Sequence, residues 1–283
     1  MNLAPALAVI PWFTLGPWKL GPVTVQGFGL MVAIGVVLAY QVCTWRAPKM
    51  SLSVDKMQSL VLYMLVSGFI GSHFLDLLLY EPEKVWANPK ILFNFGATLS
   101  SYGGVFGAMV GMALWKWRNP LDNFLAYGDV ASFALPTGWF FGRVGCAVVH
   151  DHPGTLSSNP LALEIPRAVL EKRPDIAKLV AQPWPESVAI HDLGIYEAMW
   201  WVVILAIFWG AMGSTWELTR RHPGFHIYLL PLVYAPARFG LDFLRIADAR
   251  YLGLTPAQWI SLGFFAWGAA MMWRWNQRRL AAG

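Results

Sequence analysis

The chain has 283 residues, of which 57% are hydrophobic and only 13% charged, against roughly 25% charged in soluble domains. Mean hydropathy is +0.47 and sixteen residues are tryptophan, more apolar surface than a soluble fold of this length can hide. The formal charge of +5 raises nucleic acid as a partner. Lys and Arg sit at predicted helix ends and in short loops, with no stripe or cluster for a phosphate backbone, so nucleic acid is excluded.

The N-terminal stretch MNLAPALAVIPWFTLGPWKLG carries Pro5, Pro11 and Pro17 and no basic run. It reads as an amphipathic arm on the outer surface, not as a cleaved signal peptide. A bilayer span takes about 20 mostly apolar residues. Candidates follow at 24–44, 57–79, 100–115, 123–145, 195–214, 224–245 and 255–273. The expected fold class is an all-α polytopic membrane protein of about seven transmembrane helices, forming a single transmembrane domain over 1–283. Segment 150–193, rich in Pro and mixed charge, is expected to be a small external loop or cap region within it. No internal repeat supports an inverted-repeat transporter.

Charge orients these spans. Arg46, Lys49, Lys56, Lys116, Arg118, Arg220, Arg221, Arg274, Arg278 and Arg279 fall on one side, against Lys19, Lys84, Lys90 and Arg250 in short segments on the other. The positive-inside rule puts the richer side in the cytoplasm, the N-terminus outside and the C-terminus cytoplasmic.

Several ionisable residues fall inside spans, toward their outer ends: Arg143 in the fourth, Glu197 in the fifth, and Arg238, Asp242 and Arg245 in the sixth. A charge at mid-bilayer costs about 2.5–3.5 kcal/mol on insertion scales, so such residues face a polar interior. The spacing of Arg238, Asp242 and Arg245 places them on one helical face. They form either a structural ion pair with Arg245 snorkelling or a site for an anionic headgroup, which guanidinium groups bind bidentately. Tyr102-Gly103-Gly104 opens the third span at the same outer level. Its paired glycines admit a neighbouring helix or a lipid headgroup. Cys43 and Cys146 make no disulfide framework and no metal spacing.

Gly142-Arg143-Val144-Gly145, followed by Gly154, resembles the signature GR-x-GN-x-x-N-x-E-x-x-G of the prolipoprotein diacylglyceryl transferases. Further landmarks stand in that family's order: Gly29-Leu30-Met31, Gly103-Gly104, Asp129, His191 with Tyr196-Glu197, Arg238 with Asp242 and Arg245, and Gln258. The resemblance implies transfer of a diacylglyceryl group from phosphatidylglycerol to the lipobox cysteine of a prolipoprotein, leaving a thioether and glycerol phosphate. It implies phosphatidylglycerol, the lipobox peptide and membrane lipids as partners. No cofactor and no metal are implied. The location implied is the bacterial inner membrane, with the active site facing the periplasmic side. With the family's positions and the local substitutes for its missing His taken together, the expected catalytic residues are Arg143, Arg238, Tyr102, Asp151 and His150. The substrate-binding residues are Gly103, Gly104, Gly142, Gly145, Gly154, His191, Glu197, Asp242 and Arg245.

The chain departs from the family pattern at sensitive places. The family's His before Gly-Gly is Tyr102, its signature Asn residues are Cys146 and Val149, and its Glu is Asp151. A free thiol is mostly protonated near neutrality, so thiol chemistry needs a base. The segment His150-Asp151-His152-Pro153-Gly154 offers one at His150 or Asp151, or else serves as loop caps and turn formers. His-x-His without clear partners is poor ground for zinc. Tyr102 suits hydrogen bonding to the headgroup better than proton abstraction. Cys146 is a small residue beside Arg143, or a nucleophile. Two rival readings stay open: a non-catalytic paralogue that binds lipid or lipoprotein, and a related transferase with a different acceptor.

Overall fold

The structure is a computed structural model, and it describes residues 10–21, 23–80, 82–93, 101–246 and 250–281. The first nine residues of the expected N-terminal arm lie outside the described residues. Helices dominate: α1 (Gly27–Arg46), α2 (Val54–Tyr80), the short α3 (Pro82–Ala87), α4 (Ser101–Arg118) and α5 (Phe124–Val149). After a β-rich segment containing the single turns α6 (Arg167–Leu170) and α7 (Pro174–Ala177) come α8 (Leu193–Gly210), α9 (Met212–Arg221), α10 (Phe225–Leu241) and α11 (Pro256–Ala281). Among the described residues, four stretches are long and apolar enough to cross a membrane: Gly27–Met50, Val54–Leu75, Leu193–Gly210 and Phe225–Leu244. The chain is a multi-pass membrane protein. The other expected spans coincide with α4, α5 and α11; α5 and α11 have 26 residues each, about 39 Å of helix.

By internal contacts the chain divides into two compact units, Tyr40–Ala131 and Met1–Ala39 with Ser132–Gly283. In the first, α2 packs along α4 on a stripe of small residues. A Cβ on Gly71 would meet the Gly103 carbonyl oxygen at 2.6 Å, and Gly107 and Gly111 lie equally close to the α2 backbone. Glycines four apart share one face, and such a face lets membrane helices approach to backbone contact. Gly103 is therefore occupied by a neighbouring helix; Gly104 has only ordinary contacts, the nearest at 3.9 Å. Arg46, expected in a cytoplasmic loop, closes α1 as a buried residue whose charge is countered by Asp129.

In the second unit, α1 crosses α5 where a Cβ on Gly35 would sit 2.6 Å from the Gly138 carbonyl oxygen. Beside the helices that make up most of the chain, the structure holds short strands. A four-stranded sheet, ordered β1-β5-β6-β4, joins β1 (Ile10–Pro11), β4 (Pro153–Leu156), β5 (Leu163–Pro166) and β6 (Ser187–Asp192). A separate hairpin pairs β2 (Trp18–Leu20) with β3 (Val23–Val25). Strands this short, flanked by prolines, carry too few residues for a period-two signal.

The sheet makes 150–193 a folded cap with its own core. Strands β5 and β6 run antiparallel, pairing Leu163 with Ile190 and Ile165 with Val188. These four residues bury with Leu170 and Ile176, backed by Ile10, Trp12 and Trp184. The α7 turn is pinned by Arg173, which bonds Asp175 and also donates from Nη2 to the His150 carbonyl oxygen at 2.8 Å. Those bonds hold the Asp175 carboxyl below its usual value. At the end of β6, Asp192 caps α8 by accepting from the Ile195 amide at 3.1 Å, which satisfies one of the orphan donors of a helix start. This cap fixes the first turn of α8, and with it Glu197.

Candidate active site

Glu197 sits one turn into α8 and is 1% exposed. Its carboxylate takes Arg143 Nε of α5 at 3.0 Å and Arg238 Nη1 of α10 at 2.9 Å. Tyr234, one turn before Arg238, donates its hydroxyl to the same carboxylate at 3.2 Å. Three helices thus converge on one buried acid. Burying an ion pair costs several kcal/mol per ion unless geometry and further hydrogen bonds compensate, and this cluster supplies both.

A second acid extends it. Arg238 Nη2 lies 3.0 Å from Asp242 Oδ1, and Arg245 Nη1 lies 4.0 Å from that oxygen. Thr255, just before α11, hydrogen-bonds the other Asp242 oxygen. Gln258 accepts from the Thr255 amide at 3.0 Å and donates to the Phe239 carbonyl at 3.2 Å, closing the joint between α10 and α11. Among the described residues, three guanidinium groups face two carboxylates, an excess of one positive charge.

The single helical face expected for Arg238, Asp242 and Arg245 is corrected. Helix α10 stops at Leu241 and passes through a 3-10 turn, leaving Arg245 in extended backbone. There Arg245 forms an antiparallel bridge with Gly154, which removes it from the helix. The bridge explains Gly154. A Cβ there would stand 2.9 Å from both the Leu244 carbonyl oxygen and His191 Cβ. Gly145 similarly accommodates Phe28 and Met31 of α1, whereas the Cβ direction at Gly142 is open. His191 Nδ1 pairs with the Tyr196 hydroxyl at 2.9 Å, and partial burial lowers its pKa from the usual 6.5.

His150 is held by partners in the cap. It follows the last residue of α5 with φ of 49° and is 1% exposed. Its Nδ1 lies 2.5 Å from Asp192 Oδ2 and its Nε2 lies 2.6 Å from the Phe13 carbonyl oxygen. Trp12 stacks on the ring at 4.3 Å. Both ring nitrogens are therefore engaged by partners within the fold, and the ring is buried. His150 ties the cap to the end of α5.

The neighbouring residues behave differently. Asp151 is exposed and hydrogen-bonds His152 Nδ1. Arg143 Nη1 approaches Cys146 Sγ at 3.9 Å. The Tyr102 side chain lies outside the described residues. Sequence reasoning missed Tyr234, Thr255 and Asp192. The spacing of four between Tyr234 and Arg238 was a readable signal for the first; nothing local pointed to the other two.

The fold and this cluster define a class: a multi-pass membrane protein with paired arginines held on a buried acid beside a folded cap. Residues 17–274 match the family model described as prolipoprotein diacylglyceryl transferase. The chain belongs to that family. It is 26% identical over 271 residues to a phosphatidylglycerol–prolipoprotein diacylglyceryl transferase of Phenylobacterium zucineum, covering 90% of each chain. It is 28% identical over 247 residues to the enzyme of that name from Chromohalobacter salexigens, covering 86% of this chain and 83% of the relative. With the one from Xanthomonas campestris it shares 27% over 256 residues, 87% and 83% of the two chains.

Proposed function

We propose that the chain transfers the diacylglyceryl group of phosphatidylglycerol to the lipobox cysteine thiol of a prolipoprotein in the bacterial inner membrane. Helices α1, α2, α4, α5, α8, α10 and α11 cross the bilayer as one membrane domain. The N-terminus is outside, the C-terminus is cytoplasmic, and the cap lies on the periplasmic side over the site.

One observation carries the assignment of roles: Arg143 and Arg238 come from different helices and share the single carboxylate of Glu197. A guanidinium has five N–H donors, of which Glu197 takes one from each arginine, so donors remain for a phosphate. Glu197 and Asp242 are positioning residues. They aim the arginines and cancel most of their charge, so that the phosphate enters a site one charge short of neutral. The thiolate sulfur attacks the glyceryl carbon that carries the phosphate. As the carbon–oxygen bond breaks, negative charge gathers on glycerol phosphate, where prearranged arginines stabilise it without reorganising. The thiol is activated at the Asp151–His152 pair, in place of His150. Gly142, with open space on its Cβ side, and His191 with Gly154 line the approach.

The test follows glycerol phosphate release and peptide mass together, using purified protein, phosphatidylglycerol micelles and a lipobox peptide. A diacylglyceryl mass gain matched by release is expected. Arg143→Ala is expected to lower both by about 100-fold or more, the size of effect seen on removing one transition-state donor. Full activity in a folded Arg143→Ala protein would refute the role given to that residue. Neither signal from folded, lipid-loaded parent protein would leave a lipid-binding paralogue.

A further inference from the structure

The turn after α5 folds two side chains back toward the helix's last turn. Cys146 Sγ, an Asp151 carboxylate oxygen and a His152 ring nitrogen all lie within 4.8 Å of one another. Cys146 is 7% exposed, and the His152 and Asp151 side chains are 16% and 42% exposed. The set therefore has a buried floor and an open side. His150 is absent from it, because its positive φ turns that ring toward Asp192 instead. The two imidazoles of the His-x-His run thus separate into one structural ring and one at the site.

We propose that Cys146, Asp151 and His152 bind a zinc ion whose fourth position takes the lipobox thiol. This inference rests on the transferase reading for its chemistry. Thiolate with imidazole and carboxylate is a zinc donor set; calcium and magnesium take oxygen. Three protein ligands with one open position is the arrangement of a catalytic zinc rather than a structural one. Tetrahedral zinc with the usual bond lengths sets its ligand atoms about 3.3–3.6 Å apart. The trio lies within 4.8 Å, and side-chain rotation of Asp151 and His152, which hydrogen-bond each other here, brings the three atoms to that spacing around a metal.

Charge is consistent with the neighbourhood. The Cys146 thiolate and the Asp151 carboxylate neutralise the two charges of zinc, so Arg143, with Nη1 3.9 Å from the sulfur, faces a neutral centre. An N–H directed at a ligating sulfur is a common second partner for such a ligand. The positions also form a set. Cys146 and Asp151 stand where the family signature has Asn and Glu, and the family's usual His is Tyr102 here. A thiol bound to zinc is deprotonated outright, which supplies what the missing His would have done.

The step balances without another reactant. The substrate thiol binds the open position and releases its proton to solvent. Its sulfur attacks the glyceryl carbon; the carbon–sulfur bond forms, and the carbon–oxygen bond to phosphate breaks. The bond's electron pair leaves on glycerol phosphate, held by Arg143 and Arg238. The product thioether is a weak ligand and departs.

The experiment uses the full chain in micelles, stripped by chelator and titrated with zinc and with cobalt(II). Metal content and the cobalt–thiolate charge-transfer absorption are read beside the transfer assay. One metal per chain is expected, with the absorption present. Cys146→Ser and His152→Ala are each expected to weaken binding by about 10–100-fold or more, and Cys146→Ser to abolish the absorption. Cys146→Asn, which restores the family's residue, serves as a second variant should Cys146→Ser fold poorly. A folded parent that binds no metal, or variants that bind as tightly as the parent, overturns the site. Transfer by that same metal-free preparation leaves the transferase reading standing. Stoichiometric metal lost in the variants, without any transfer, supports the site and refutes the transferase reading.

Discussion

Replacing Glu197 by Gln removes one charge and almost no volume. In the parent that carboxylate faces Arg143 at 3.0 Å and Arg238 at 2.9 Å, and is 1% exposed. The amide keeps one acceptor oxygen, but turns an N–H donor toward one of the two guanidinium groups. Removing one partner of a buried pair costs about 3–5 kcal/mol, because the remaining charge stays buried without compensation. For a chain of this size that corresponds to a fall of roughly 10 °C in unfolding midpoint. The assay is thermal unfolding in micelles of zwitterionic lipid, repeated with increasing phosphatidylglycerol. A bound phosphate supplies the missing negative charge, so the variant is expected to regain much of its loss with anionic lipid, and to gain more than the parent does. A Glu197→Gln protein with unchanged midpoint in zwitterionic micelles would refute this account of the cluster. An equal response of both proteins to phosphatidylglycerol would show that the arginines do not meet the phosphate.

Asp192→Asn weakens the bond to His150 while leaving an oxygen to cap α8. A loss of about 1.5–3 kcal/mol, usual for a hydrogen bond to a charged group, is expected in thermal unfolding, with transfer per folded molecule unchanged. His191 gives a pH signature. Burial lowers its pKa below the usual 6.5, so the unfolded chain binds a proton that the folded chain refuses. The resulting stability is fully present above about pH 6.5 and declines as pH falls below it; unfolding midpoints between pH 7.5 and 5 should flatten in His191→Gln. Gly103→Ala places a methyl group against the α2 backbone, 2.8 Å from Ser72 Cα. Overpacking of that kind costs about 1–3 kcal/mol, read as a lower unfolding midpoint.

Much of the helical frame was legible because its signal is local. Apolar runs of about 20 residues need no partner to be read, and every expected span coincides with a long helix. Arg143, Glu197 and Arg238 stood out for the same reason, as charges inside apolar runs. The cap was less legible. Strands of four to six residues between prolines look like loop, and their pairing of Leu163 with Ile190 joins positions far apart in the chain.

Taken by itself, the sequence determined membrane residence, the helix positions, the family and the three charges on which the site is built. All of these depend on composition or on short spacings. Tertiary structure decided what each charge faces. It put Glu197 between two arginines from different helices, carried Arg245 off its helix into a bridge with Gly154, and gave both nitrogens of His150 to acceptors. It also brought Cys146 beside Asp151 and His152. The physical reason is that a side chain's chemistry depends on its partners and its access to water. In this chain those partners come from the ends of helices and from strands whose meeting no local period records.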